Sequence, residues 1–412
     1  MRTTVRTTGW ILLAALLLLL TAEILRVYWI LPFPGSQRGQ TLPLAFALHR
    51  AIWGIRIAAG AVALWAATRI LARGGRGARI ATLLGLAGLG AATYQVNGPM
   101  SADVMFRQPS ELTFVSAREL REAGSQVLPP SALVVGIELV ASDGARRSRA
   151  YPIRYIGYHH QVRDVVAGQP VMVTYCTVCR TGRVFRPVVD GKVESFRLVG
   201  MDHFNALFED ATTGSWWRQA TGEAVIGSSA GKRLEEIPSR QMTWAAWAAL
   251  HPETDVMDPD PAFADRYARM AGFDDGTNES ALTGRDRESW REKSWVVGVI
   301  AGGGARAFDW NELARERVIQ DRIGDLPVVL LLGADGASFF VFDARSGAVP
   351  VDLEPTADPS RFRDRSTGTS WSETGVALDG PGAGTALTPL PGYQEFWHSW
   401  QTFHPETTAR RN

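Results

Sequence analysis

The sequence predicts an α+β chain that is mostly β: N-terminal transmembrane helices followed by two tandem, related, mostly-β units, each closed by a helix. Three observations predict this. Apolar residues concentrate before about Val96 and nearly all carboxylates follow it. Beyond Val96, short β-branched and aromatic runs alternate with Gly, Asp-Gly and Pro signals. The second half of that region repeats the first.

Residues 1–96 read as a membrane anchor of about three helices. Trp10 to Leu31 is almost continuously apolar, interrupted only by Glu23 and Arg26. About twenty residues at 1.5 Å rise span about 30 Å of hydrocarbon. Leu44 to Ile70 is a second run, carrying His49, Arg50 and Arg56, and Ile80 to Val96 a third, rich in Gly and Ala. Charge in lipid is costly, so His49, Arg50 and Arg56 are expected to snorkel or face other helices. Arg2 and Arg6 precede the first run, and Arg69, Arg73, Arg76 and Arg79 flank the loop between the second and third. The excess of positive charge marks the cytoplasmic side. The expectation is an inner- or plasma-membrane protein with a cytoplasmic N-terminus and a periplasmic or extracellular soluble domain.

Residues 97–130 read as a linker, 131–257 as the first unit, 258–293 as a polar linker or insertion, and 294–412 as a second, degenerate unit. Expected strands of the first unit are Ala132 to Val140, Pro170 to Tyr175, Arg183 to Val189 and Val193 to Val199. The closing stretch Trp244-x-x-Trp247-x-x-x-His251-Pro252-Glu253-Thr254 returns as Trp397-x-x-Trp400-x-x-x-His404-Pro405-Glu406-Thr407. Its spacing is helical, with proline as the stop. Arg149, Asp164 and Trp217 are answered by Arg306, Asp321 and Trp371. Residues kept in both copies, His251 included, read as scaffold. Residues confined to one copy are the functional candidates.

Those candidates are all in the first copy. The 412-residue chain has 2 cysteines, Cys176 and Cys179, so no disulfide framework staples the fold. Two thiolates two residues apart on a turn between strands suit a metal knuckle. His159, His160, His203 and Met201 are the further ligands within the candidate set, and the mixture of thiolate, imidazole and thioether suits copper or zinc. Asp202, Arg218 and Gln219 are the candidate catalytic groups, and Trp216, Arg180 and Asn205 the candidate cofactor contacts. Other readings stay open. The pair suits a disulfide in an oxidising compartment, either redox-active or structural. Met201 suits plain core packing, and His159-His160 an exposed pair at a strand end.

The stretches Tyr175-Cys176-Thr177-Val178-Cys179-Arg180-Thr181-Gly182, Leu198 to Asn205 and Ser215 to Gln219, with the closing Trp-x-x-Trp signature, resemble a bacterial and archaeal family known only as a domain of unknown function, number thirty-one seventy-nine. The resemblance is strong over about Ser131 to Thr254 and weak in the second copy, and it implies no activity.

Three functions compete: a metal-dependent oxidoreductase or metal-handling protein, a thiol–disulfide protein, and a non-catalytic binding or assembly module. The formal net charge of +1 and the lack of a basic stripe exclude a nucleic-acid partner from the expectation. The membrane is the one partner named, and a small molecule or a redox protein is left open. No P-loop, dinucleotide fingerprint or nucleophile elbow is present.

Overall fold

A computed structural model describes residues 2–122, 128–347, 349–380 and 382–410. The chain is mixed α and β, and mostly β after a helical N-terminal region. It divides into two units: residues 1–107 with 196–218 and 224–231, and residues 108–195 with 219–223 and 232–412.

The first unit begins with α1 (Arg2–Tyr28), α2 (Leu42–Arg73) and α3 (Arg76–Asn97). Val5–Tyr28 and Leu42–Arg73 are long and apolar enough to cross a membrane, with mean hydropathies of 2.2 and 1.5. The third expected span falls short of that measure among the described residues. Its glycines, Thr82, Gln95 and Arg79 dilute an otherwise apolar helix. Small side chains let α1 and α2 approach closely: Leu12, Ala15 and Leu19 pack on Ala59, Ala63, Ala66 and Ala67. The charges near one end are paired. Glu23 accepts from Arg56 Nε at 2.6 Å, and Asn97 Oδ1 accepts from Arg26 at 2.7 Å and Arg56 at 2.8 Å. One network thus ties the three helices together.

The same unit holds an antiparallel sheet in the order Ala224–Ile226, Trp216–Arg218, Asn205–Asp210, Phe196–Asp202. It packs on the connection between α1 and α2 and on the start of α2, through Val199, Leu207 and Trp216 against Ile30 and Ala45. Met201 N–H donates to the Ile30 carbonyl at 2.7 Å. Gly200 permits that approach, since a Cβ there would lie 2.4 Å from the same oxygen.

The second unit contains two sheets of like build. One runs Ser239–Thr243, Leu133–Val140, Arg146–Pro152, Asp255–Met257, with the last pair parallel, and Phe114–Ser116 added at its edge. The other runs Gly392–Phe396, Trp295–Ala301, Gly304–Asp309, Thr408–Ala409, again with the last pair parallel. Particular side chains match. A Cβ on Gly136 would meet the Trp247 ring at 2.4 Å, and one on Gly298 the Trp400 ring at 2.1 Å. Trp247 Nε1 donates to Thr254 at 2.9 Å, and Trp400 Nε1 to Thr407 at 2.8 Å. Arg149 pairs with Asp164, and Arg306 with Asp321, both at 2.8 Å.

Several expected boundaries move. The run Arg183 to Val189 breaks at Pro187 into Thr181–Arg186 and a two-residue strand, because proline cannot donate to the ladder. The closing helices are Trp244–Leu250 and Trp397–Phe403, the first capped by Thr243 Oγ1 accepting from Ala246 N–H at 3.2 Å. Helices Ile153–His159 and Trp310–Glu316 were not expected. Residues 97–130 are more than a linker, since they supply the strand Phe114–Ser116 and the helix Ala117–Glu122; the part over 123–127 lies outside the described residues. In the 258–293 stretch Phe273 and Tyr267 are buried, so this polar segment contributes to the core.

Candidate functional site

Cys176 ends strand Gln169–Cys176, and Thr181 opposite it begins the next strand. The four residues between form the turn. It places the two cysteine Cα atoms 5.5 Å apart, and the sulfurs are joined as a disulfide. Both cysteines are fully buried. The turn is held by strand Gly392–Phe396 and by the closing helix Trp397–Phe403 of the same unit. Phe396 N–H donates to the Cys179 carbonyl at 2.9 Å, and His398 Nε2 donates to the Val178 carbonyl at 3.2 Å. Burial pulls His398 below the ordinary histidine value, against the raising effect of that carbonyl.

Arg180, expected to touch a cofactor, is sealed into protein instead. Its guanidinium donates to Gln394 Oε1 and to the carbonyls of Phe273 and Asp274 at 2.8, 2.9 and 3.0 Å, and lies 3.6 Å from the Trp295 ring centre. Arg183 forms a buried ion pair with Glu395 and stacks on Tyr393 at 3.6 Å. Gln219, an expected catalytic group, is wholly buried. It donates to Thr174 Oγ1 at 3.0 Å and to the Thr181 carbonyl at 2.9 Å, fastening the two strands that carry the turn.

His159 and His160 are buried at a helix end, not exposed at a strand end. His159 Nε2 is 2.7 Å from the Tyr267 hydroxyl, and His160 Nδ1 is 3.2 Å from the Tyr158 carbonyl. His160 has φ 61° and caps its helix, and its carbonyl accepts from Tyr175 N–H at 2.9 Å. Arg317 does the same, with φ 63° and its carbonyl accepting from Leu332 N–H at 2.9 Å. The backbone role therefore does not need imidazole. Burial lowers His160 to about 4, with the Tyr158 carbonyl opposing. The unfolded chain, near 6.5, takes up this proton first. Stability is then complete above pH 6.5 and is lost as the pH falls towards 4, by about 3 kcal/mol for this group. Thermal unfolding of the full chain between pH 7 and 4 is expected to flatten in His160→Asn, which keeps the left-handed backbone.

The first unit brings three other candidates together. Asp202 is buried; its Oδ1 is 2.7 Å from His203 Nδ1 and its Oδ2 accepts from Arg218 Nε at 2.5 Å. Burial raises the Asp202 carboxyl, but the His203 hydrogen bond and the Arg218 charge outweigh it, and the net shift is downward. The ionised carboxylate holds the His203 proton on Nδ1 and leaves Nε2 as the basic nitrogen. His203 and Phe204 form the two-residue turn between paired Asp202 and Asn205, with φ of 50° and 65°. Positive φ at both positions fits a tight hairpin but is disfavoured for non-glycine residues. Phe204 N–H donates to Gln37 Oε1 at 3.2 Å, which helps fix the turn. Asn205, Met201 and Trp216 are buried. Trp216 Nε1 donates to Glu209 at 3.0 Å and its ring packs on Phe46 and His49.

Cys176, Cys179, His159 and His160 belong to the second unit, and His203 and Met201 to the first. Among the described residues no three His, Cys, Asp or Glu side chains converge as ligands.

Sequence reasoning missed a cavity of about 380 Å³ in the second unit, lined by Glu138, Arg240, Trp247, His251, Phe340 and Leu390, among others. His251 lies over Trp247 with ring centres 4.0 Å apart, as His404 lies over Trp400 at 4.1 Å. That equivalence marked His251 as scaffold, yet its ring also faces this space, with Nδ1 3.3 Å from Glu138. Burial lowers His251 more than Glu138 raises it. The sequence signal for it was Glu138 within the otherwise apolar strand Leu133–Val140.

The architecture and sites so far define a mostly-β protein with an apolar helical N-terminus. Residues 112–407 match the family model described as a protein of unknown function, DUF3179, and the chain belongs to this family. The match runs in one stretch across both expected units. No curated protein and no solved structure matches the chain.

Proposed function

We propose that this chain is a membrane-anchored, extracytoplasmic binding module in which the Cys176–Cys179 disulfide is a structural clip. The observation that carries the reading is that the paired sulfurs are fully buried beneath a turn clamped by Phe396 and His398. A thiol relay offers its attacking sulfur to a partner, and a metal knuckle keeps both sulfurs for the ion. The oxidising side of a membrane favours such a bond. The two apolar helices support the anchor, and the arginines of the loop before helix Arg76–Asn97, taken as a third crossing, support the orientation.

On this reading residues 131–257 and 294–412 are duplicated units, a view supported by their matched sheets and Trp–Gly contacts. Residues 294–412 hold the clip closed through Phe396 and His398. The ligand space is the cavity beside Trp247 and His251, whose aromatic and apolar walls with Glu138 and Arg240 suit a small amphipathic molecule.

Two assays on the full chain in detergent test this. Elemental analysis is expected to find no stoichiometric copper or zinc, and Cys179→Ser is expected to trap no mixed disulfide. One metal ion per chain, lost in Cys176→Ser, would establish the metal reading instead. A trapped partner would establish the relay. Reducing the clip is expected to cost about 2 kcal/mol, the loop-entropy value for so short a loop, read as a lower melting temperature.

A further inference from the structure

The cavity beside Trp247 carries one charge that the fold does not claim. In strand Ser239–Thr243, Arg240 stands directly opposite Gly136, and Glu138 follows two residues on along Leu133–Val140. Opposed residues of an antiparallel pair, and residues two apart on a strand, share one face. On that face the Trp247 ring covers Gly136, so Arg240 and Glu138 flank the indole. The matching sheet has the same glycine under the same tryptophan, but Tyr393 stands opposite Gly298 and Ile300 follows two residues on. The Trp–Gly contact is thus shared by both sheets, while the two charges belong to one.

The two charges differ in what holds them. The Glu138 carboxylate is engaged on both oxygens, by Arg146 on Oε1 and by His251 Nδ1 on Oε2 at 3.3 Å. Arg240 has no such partner. It is exposed, and among the described residues no hydrogen bond or ion pair engages its guanidinium. It is also the only lysine or arginine among the described residues of the lining. The guanidinium centre lies 5.9 Å from the Phe340 ring centre, at the cavity wall. Arginine stays charged at any physiological pH, offers donors and no acceptor, and presents them in a planar fork that matches a carboxylate. An amine, by contrast, would reach Glu138 only by displacing Arg146 or His251.

We infer that this cavity binds small carboxylic acids with an apolar body, taken up as their anions. The carboxylate accepts two hydrogen bonds from the Arg240 fork, and the body lies against Trp247, Phe340 and Leu390. The inference rests on the reading of this cavity as the ligand space, and it names the class of ligand.

Calorimetric titration of the full chain in detergent with phenylpropionate, its amide and phenylpropylamine tests this. The three probes share one body and differ in charge. The acid is expected to bind about tenfold tighter than the amide, the value of a hydrogen bond to a charged group. Added salt is expected to narrow that gap. In Arg240→Gln the acid and the amide are expected to bind alike, whereas Arg240→Lys, which keeps the charge, is expected to retain a preference for the acid. Pro389→Trp places a bulky ring on an exposed part of the wall, and is expected to abolish binding of both at an unchanged melting temperature. Equal binding of acid and amide by the parent, tighter binding of the amine, or a preference that survives in Arg240→Gln overturns the inference. If acid and amide bind equally and Pro389→Trp still removes both, the ligand space stands and only the carboxylate preference fails. Binding of no probe, or binding unaffected by Pro389→Trp, overturns the inference and contradicts the ligand-space reading with it.

Discussion

Glu395→Ala is expected to destabilise the protein by about 3–5 kcal/mol, the usual cost of removing one partner of a buried ion pair. Glu395 and Arg183 are both buried, and Ser399 also donates to the Glu395 carboxylate, at 3.0 Å. Alanine leaves the guanidinium with Glu236, 3.5 Å away and partly exposed, as its nearest countercharge. The pair joins the strand after the Cys176 turn to the strand that caps the turn, so its loss should loosen the clip. Denaturant unfolding followed by circular dichroism measures the first effect, and faster reduction of the disulfide the second. The double variant Arg183→Leu with Glu395→Leu should lose less than the single changes sum to, because neither charge is then orphaned. A strictly additive result would mean the pair does not act as a unit.

Trp400→Ala and Trp247→Ala are each expected to cost about 3–5 kcal/mol, by lost burial and the cavity left behind. Both indoles are buried, lie against a glycine of a central strand, and donate to a threonine just beyond their helix. Equal losses, within about 1 kcal/mol, are the outcome the duplication reading requires of matched sites. A loss confined to one of them would argue that the like contacts carry unlike loads. Trp247→Ala should in addition enlarge the neighbouring cavity and alter whatever it binds, whereas Trp400→Ala should not.

Much of the fold was legible because it is written in periodicity and turn chemistry. The Trp-x-x-Trp-x-x-x-His spacing gave both closing helices, and Gly, Asp and Pro marked most strand ends. The short helices Ile153–His159 and Trp310–Glu316 escaped because seven residues between strands carry too little pattern. The third apolar run forms the helix Arg76–Asn97, and its glycines, which favour close packing, lower its hydropathy below that of the first two.

The candidate site was less legible, for a physical reason. Residue type shows what a side chain can ligate but not which neighbour has already claimed it. Cys176 and Cys179 claim each other, His159 meets Tyr267, His160 caps a helix, and His203 bonds Asp202. Joint absence from the second copy made these residues look like one site. It holds equally for residues with separate jobs: Gln219 braces the turn, while Arg218 holds Asp202. The Asp202–His203–Arg218 group was within reach, because neighbouring Asp and His with a later Arg were all named.

The central claim is that the cysteine pair is a closed, buried clip. Intact-mass analysis after alkylation tests it directly, on the full chain taken from membranes without reductant. No cysteine is expected to be alkylated in the native protein, none after denaturation alone, and two after denaturation with reductant. Two cysteines alkylated on denaturation without reductant would mean that the pair is held as free thiols or by a metal ion, and would contradict it.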